Sequence, residues 1–523
     1  MSGLDGLLLK NLNFERAINR IANDTLHDFI ISPHYSAIFK HASKELWEKL
    51  SNRLSSGNYN PQLPISIEVP KKSGLTRPGS ILNPIDRLLY QCIADEIAEE
   101  IEKSLDRENV FSNRLHISSE PNSGKMFESA NICYGELRNK ITELCVDTNY
   151  NYAIVADIAC YFERIYQHVL INLLRSTKCD PGYINLLERI LSALTSKDSH
   201  GIVQGIYPSD LLGNFYLCAF DSFLKLKRVK FVRYMDDYWI FLESLEETRK
   251  ILVDICTYVR KEGLYLNEYK THITKTEDLK YEETELDRMF NDAREEYKGW
   301  DIIYSEYSFE PFYFDELNED DEDAEIAATI RLYEKRNESP RFLEKIDKFC
   351  LPRLAMYKSN IAVNDAIEGL IDRPHLSDIY SQYLRVFVSE DLELSDVVQS
   401  IFLDNKLTYE WQTMWILAMF YYMESISMNV VDKAYSLLLD YNNSPAVRAL
   451  CPLIVSKHGD GPRRRLIRNH YSSEPSTYVK EAILYSTKFF PSNDDKNTCI
   501  NIWETHSDMN ELISIALKKE GKE

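Results

Sequence analysis

The sequence predicts an α+β fold in which a strand-bearing first half is followed by an all-α second half. Three observations carry that expectation. Two segments, NYAIVADI (151–158) and KFVRYMDDYWIFLE (230–243), read as strands that place carboxylates at a strand end and at a hairpin bend. Residues 281–330 form an acidic break, with 3 Lys/Arg against 18 Asp/Glu. Beyond residue 331 only helical patterns occur. The chain has 523 residues, 44% of them hydrophobic, which is enough for more than one core and excludes wholesale disorder.

The elements follow in chain order. The opening MSGLDGLLLKNLNFER has too short an apolar run for a signal peptide, and no span of about 18 apolar residues occurs anywhere, so a cytoplasmic protein with no membrane segment is expected. Ten cysteines without a C-x-x-C pair fit reduced thiols rather than a zinc site. Asn83 before Pro84, with Asp86 in the first turn, starts a helix that the spacing of Leu88, Leu89, Ile93, Ile97 and Ile101 carries to about residue 104. The acidic block reads as a solvated connector. After it, PRFLEKIDKFCLPRLAMY (340–357), YEWQTMWILAMFYYME (409–424), SPAVRALCPLIVSKHG (444–459) and STYVKEAILYSTKFF (476–490) are amphipathic helices separated by turn residues. Val447-Arg448 aligns with Val479-Lys480 at an offset of 32, which suggests stacked helix pairs of the HEAT-like repeat kind. The expected organisation is therefore 1–280, a connector at 281–330, and a helical domain at 331–523.

The net charge of −21 argues at first against a nucleic-acid partner. Resolved by segment it is −3, −15 and −3, so both large segments are near neutral and either can hold a local basic groove. GPRRRLIRNH (461–470) is the best basic patch of the helical part, suited to a phosphate backbone or, more plainly, to a solvated helix start.

Asp157 and the pair Asp236-Asp237 lie far apart in sequence, yet each sits where strand pairing can bring carboxylates together. Carboxylates converging in that way repel one another unless divalent cations lie between them, and two Mg2+ about 3.5–4 Å apart form a clamp for in-line phosphoryl transfer. An aspartate at a strand end is common by itself. Its neighbours decide the matter.

Over roughly residues 70–275, four ordered motifs resemble the reverse transcriptase family. DIACYFERIYQH (157–168) looks like the first palm motif, GIVQGIYPSDLLGNFYL (201–217) like Q-G-x-x-x-S with its downstream Asn214, YMDD (234–237) like the Y-x-D-D signature, and GLYLNEYKT (263–271) like the next motif with its lysine. The resemblance implies a right-hand polymerase of fingers and palm that uses dNTPs and two Mg2+, or Mn2+. It makes Asp157 and Asp236 the principal metal ligands, Asp237 secondary, and the Ile158 carbonyl a further donor. Phe162 falls where the family places an aromatic gate against a 2′-hydroxyl, with Tyr161 beside it as the alternative. Gln204 and Gly205 would pack beneath the nascent base pair, and Lys270 would act on the leaving pyrophosphate. Upstream, KKSGLTRPGSILNPIDRLLYQ (71–91) looks like the fingers motifs, giving Lys72 and Arg77 as triphosphate ligands with Lys71 and Arg87 as alternatives. VFSNRL (110–115) resembles a segment between fingers and palm in bacterial members; its Arg114 reads as structural or template-facing.

No Cys/His nuclease signature and no ribonuclease H carboxylate set follows the palm, which disfavours intron and retroviral enzymes. A fingers-palm module joined to a helical domain in place of a thumb looks like the abortive-infection and "unknown group" reverse transcriptases of bacteria. That resemblance implies antiphage defence in the bacterial cytoplasm, a homo-oligomer, and synthesis that is protein-primed or dependent on a partner non-coding RNA. A priming tyrosine could be any of several, since 17 of the 33 lie at or beyond Tyr281. The alternatives are a conventional RNA-templated enzyme of retron or intron origin, and a non-catalytic nucleic-acid scaffold that has kept the fold.

Overall fold

Among the described residues of the computed structural model, six strands form two sheets and helices account for most of the rest. The structure describes residues 8–25, 28–195, 198–280, 319–338 and 343–520. Most of the acidic connector, 281–318, lies outside the described residues. Packing separates two compact units, residues 1–89 with 354–523 and residues 90–353. This division differs from the one read from composition, because the first 89 residues cluster with the helical second half rather than with the strands that carry the aspartates.

In the first unit, β1 (Ile65–Pro70) and β2 (Thr76–Ile81) form an antiparallel hairpin whose register pairs Val69 with Arg77. Its turn closes through the Lys71 N–H on the Leu75 carbonyl at 2.7 Å, with Gly74 in the left-handed region that glycine adopts without strain. The Tyr409 hydroxyl donates to the Gly74 carbonyl at 3.1 Å and the Trp411 indole donates to the Phe29 carbonyl at 2.9 Å. Alternate helices then stack side by side: Ser377–Leu384 on Glu410–Tyr422, that on Pro445–His458, that on Thr477–Ser486, and that on Asp508–Glu520. Ser444 and Ser476 precede two of these helices, and Val447 and Val479 are wholly buried at the third position of each. The offset of 32 thus links equivalent positions of neighbouring helices. The last helix also packs on Pro33–His41, fastened by Lys49 and Arg53 to Asp508.

Two of the four arginines of the basic run are paired with nearby carboxylates. On helix Gly461–His470, Arg463 pairs with Asp432 and Asp460, Arg464 donates to the Ser456 carbonyl, and Arg468 pairs with Asp495, leaving the exposed Arg465 facing solvent.

The second unit is built on a four-stranded antiparallel sheet in the order β4 (Lys230–Tyr234), β5 (Asp237–Leu242), β3 (Tyr152–Asp157), β6 (His272–Lys275). Asn83 caps helix Pro84–Ser104 by accepting from the Ile85 N–H at 3.0 Å, and the helix ends where the apolar spacing places its end. Helix Leu245–Lys261 packs against β3 and β5 and starts at Ser244, whose hydroxyl accepts from the Glu247 N–H. All ten cysteines are free. Among the described residues no helix is long and apolar enough to cross a membrane.

Candidate active site

The strand register brings the carboxylates to one end of the sheet. Asp157, last residue of β3, lies directly opposite Asp237, first residue of β5. Tyr234 pairs with Asp237 across β4 and β5, so Met235 and Asp236 form a two-residue hairpin turn. Met235 has φ +48, a left-handed conformation that costs a residue with a Cβ some strain and is held only by its surroundings. Asp236 is half-buried at this turn. Burial, and then the charge of Asp157, push its carboxyl up to about 7, against the pull of Lys270 and Arg233.

A third segment straps the carboxylates from the other side. The Asn267 N–H donates to the Asp157 carbonyl at 2.7 Å and the Ala159 N–H to the Tyr265 carbonyl at 2.8 Å, bridging Ile158 to Leu266. The Ile158 carbonyl accepts no hydrogen bond among the described residues. This strap delivers Lys270, whose ammonium donates to Asp157 Oδ1 at 2.6 Å. Burial works against that charge, but the bond to Asp157 and the fields of Asp237 and Asp236 raise it above an ordinary lysine.

Phe162 stands on the short helix Tyr161–Arg164, entered through Cys160 at φ +51. Its ring and that of Tyr161 lie against Gly213, where an added Cβ would come within 3.0 Å of Phe162 and 3.4 Å of Tyr161. Tyr161 is fixed more tightly, its hydroxyl donating to the Gly213 carbonyl at 2.5 Å in full burial. The Phe162 carbonyl accepts from the Ile202 N–H at 3.0 Å and the Ile165 carbonyl from the Gly201 N–H at 2.9 Å. These bonds tie the segment leading to Gln204 and Gly205 onto the helix that carries Phe162. Gly205 has φ +83, so the turn needs glycine there.

The donor set fits a hard divalent cation. It is all oxygen, and burial and the charge of Asp157 destabilise the Asp236 anion even with the Lys270 ammonium on Asp157, so added positive charge is favoured at this corner. Among the described residues, however, no three His, Cys, Asp or Glu side chains converge as an ion-binding group, and Asp157 makes a short ion pair with Lys270.

The fingers candidates belong to the first unit. Lys72 is exposed at the hairpin turn. Arg77 is half-buried with its guanidinium over the Phe29 ring at 4.6 Å, and burial lowers its basicity. Arg87 is bound to Asp24 and Asp28 at 2.8 and 2.9 Å and is occupied as a buried structural cation. In the second unit Arg114 pairs with Glu136 at 3.0 Å.

Residues 69–284 match the family model described as reverse transcriptase (RNA-dependent DNA polymerase). This stretch is a reverse transcriptase domain. Among curated proteins, Protein YkfC of Escherichia coli (strain K12) is 24% identical over 210 residues, 39% of this chain and 51% of YkfC. The putative COX1/OXI3 intron 1 protein of Saccharomyces cerevisiae is 23% identical over 287 residues, 43% of this chain and 32% of that protein. The chain thus spans about half the length of the first relative and a third of the second. Among solved structures, apo telomerase from Candida tropicalis aligns at 10% identity over 90% of this chain and 73% of that one, with a TM-score of 0.32, a likeness too loose to equate single residues.

Beneath the Tyr-Met-Asp-Asp turn of the reverse transcriptase domain lies a buried polar network that sequence reading misses. Arg233, wholly buried, uses all five of its donors: two on Asp221 at 2.9 and 2.7 Å, two on the Asn214 side-chain and backbone oxygens at 2.7 and 3.2 Å, and one on the Met235 carbonyl at 2.9 Å. Desolvation opposes its charge, and Asp221 holds it. The Met235 N–H donates to Ser112 Oγ at 2.8 Å, Asn214 donates to the Ser112 carbonyl at 2.8 Å, and the Tyr238 hydroxyl completes Asp221 at 3.0 Å. Both backbone polar groups of the strained Met235 are therefore clamped from below. The signal is present in FVRYM: an arginine inside an otherwise apolar strand needs a buried counter-ion.

Proposed function

We propose that this protein is an RNA-directed DNA polymerase whose chemistry is centred on Asp157, Asp236 and Asp237. The observation that carries the reading is the juxtaposition of Asp157 with the Met235-Asp236 turn and Lys270, within a domain that matches the reverse transcriptase family. Asp157 and Asp236, with Asp237 and the Ile158 carbonyl, would hold divalent cations. Two bound Mg2+ would lower the basicity of an attacking hydroxyl and stabilise the departing pyrophosphate. Lys270 stands within hydrogen-bond reach of Asp157 and neutralises negative charge that develops there. Phe162 presents a buried ring against Gly213 that would exclude a 2′-hydroxyl and select dNTPs, with Gln204 and Gly205 on the segment bonded to its helix. Lys72 and Arg77 are proposed triphosphate ligands; the stacked Arg77 would have to leave Phe29 to serve.

The wider role follows from layout. A reverse transcriptase domain followed by stacked helices in place of a thumb supports a HEAT-like scaffold and membership of the bacterial abortive-infection group, acting in antiphage defence as a homo-oligomer. Initiation on a tyrosine or with a partner non-coding RNA belongs to the same reading. Primer extension with Mg2+ and labelled dNTPs on matched RNA and DNA templates tests the enzymatic core. Extension on RNA supports it, and extension confined to DNA templates contradicts it. Phage plating on cells carrying the wild type or the Asp236→Ala/Asp237→Ala variant tests the defence role: protection should require the aspartates.

A further inference from the structure

Ser112 is wholly buried and touches both the turn that carries Asp236 and the helix on which Phe162 leans. A serine hydroxyl has one hydrogen to give and lone pairs with which to accept. Here it accepts from the Met235 N–H at 2.8 Å and donates to Asn214 Oδ1 at 3.2 Å. Asn214 returns the contact through its side-chain N–H, which donates to the Ser112 carbonyl at 2.8 Å. It stands on helix Tyr207–Tyr216 directly after Gly213, against which Phe162 and Tyr161 pack.

The segment bearing Ser112 is itself anchored. Residues 109–111 run beside β4, where the Arg233 N–H donates to the Asn109 carbonyl at 2.7 Å and the Phe111 N–H to the Arg233 carbonyl at 3.0 Å. The Arg107 guanidinium, paired with Glu102 at 2.6 Å, donates to the carbonyls of Val110, Ser112 and Asn113 at 3.2, 2.9 and 3.1 Å. A hydroxyl held this firmly can serve as a fixed point for what it touches.

Placement matters at both ends. Met235 keeps its left-handed backbone only while its polar groups are held, and Asp236 follows it in the turn. A shift of about 1 Å near reacting groups can cost on the order of a hundredfold in rate. A gate in turn selects a sugar only if its ring keeps its place relative to the carboxylates.

We infer that Ser112 is a positioning residue whose hydroxyl sets the Asp236 turn and the Phe162 ring in register with each other, so that one side chain governs both catalytic rate and sugar selection. The inference rests on the reading of the domain as a polymerase with Phe162 as its gate. Ser112 acts through Met235 and Asn214 and touches no reacting atom.

Incorporation of dNTP and of rNTP over a Mg2+ titration, corrected for folded fraction, tests it in the full-length wild type, Ser112→Ala, Ser112→Thr, Phe162→Val and the double variant Ser112→Ala/Phe162→Val. Ser112→Ala should lower kcat for dNTP about tenfold, raise the Mg2+ needed for half-maximal rate about threefold and lower the ratio of dNTP to rNTP efficiency about threefold. Ser112→Thr, which keeps the hydroxyl, should restore the ratio. In the Phe162→Val background Ser112→Ala should still lower kcat but change the ratio no further, because the ring through which it acts on the sugar is gone. This comparison stands even where the bulkier threonine does not fold. A merely structural serine would lower the folded fraction and leave the ratio and the Mg2+ dependence of the folded enzyme as they were. Either of those unchanged in Ser112→Ala, or additive effects on the ratio in the double variant, would overturn the inference and leave the polymerase reading intact. Absence of incorporation by the wild type, or incorporation that survives Asp236→Ala/Asp237→Ala, would overturn that reading and the inference with it.

Discussion

Removing either partner of the Arg233–Asp221 pair should unfold the reverse transcriptase domain more readily than any surface change, and removing both should cost less than the sum. Arg233→Met leaves Asp221, almost wholly buried, with the Tyr238 hydroxyl as its remaining partner; Asp221→Asn leaves a guanidinium in the interior without its counter-ion. Stranding one member of a buried ion pair costs about 3–5 kcal/mol. The double variant strands no charge, so it should recover roughly 2 kcal/mol of the summed loss, within the range of coupling between contacting residues. Urea unfolding of the four proteins of the cycle, followed by intrinsic fluorescence, measures these contributions. Nucleotide incorporation, corrected for folded fraction, should fall further in Arg233→Met than stability alone explains, because the Met235 carbonyl loses its donor and the turn bearing Asp236 relaxes. Single losses below about 1 kcal/mol, or strict additivity, would refute the view that this network holds the turn.

Three further outcomes are expected. Replacing Phe162 with Val should raise rNTP use relative to dNTP in paired incorporation assays; an unchanged ratio removes Phe162 as the gate. The Glu481 carboxyl, buried beside Tyr35, is pushed from 4.5 up to about 8 by desolvation, so the folded state keeps a proton that the unfolded chain releases. Stability contributed by that proton is complete below pH 4.5 and is lost as pH rises through about 8, each pH unit of that window removing at most about 1.36 kcal/mol. Glu481→Gln should therefore raise Tm at pH 8.5 and leave it unchanged near pH 4.5; equal effects at both would contradict the assignment. Gly263 has φ +74, and an added Cβ would overlap the ring of Tyr166, so Gly263→Ala should lower the stability measured by urea unfolding by on the order of 1–3 kcal/mol; a neutral result would mean that the strap around Asp157 is loose.

What could be read from the sequence was local. Asp157 at a strand end, the turn at Met235-Asp236, the helix start at Asn83-Pro84 and the helices beyond 343 depend on neighbours within a few residues, and all appear where the pattern puts them. The clamp beneath the turn joins Ser112 to Met235 across 123 positions, and the first unit is fastened by Tyr35 on Glu481 across 446 and Lys49 on Asp508 across 459. One sequence carries no signal for partners so distant. For the same reason composition located the acidic segment but not the union of residues 1–89 with the helical half. The run of arginines at 463–468 shows the converse: its charge was legible, but its partners Asp432 and Asp495 were not.

The central claim is that the carboxylates at the end of β3 and in the β4–β5 turn perform nucleotidyl transfer. It is tested most directly by incorporation of labelled dNTPs with Mg2+ by the wild type and by the Asp236→Ala/Asp237→Ala variant, with circular dichroism to establish that both are folded. Incorporation by the wild type and none by the folded variant is the expected result; incorporation that survives the substitution would contradict the account.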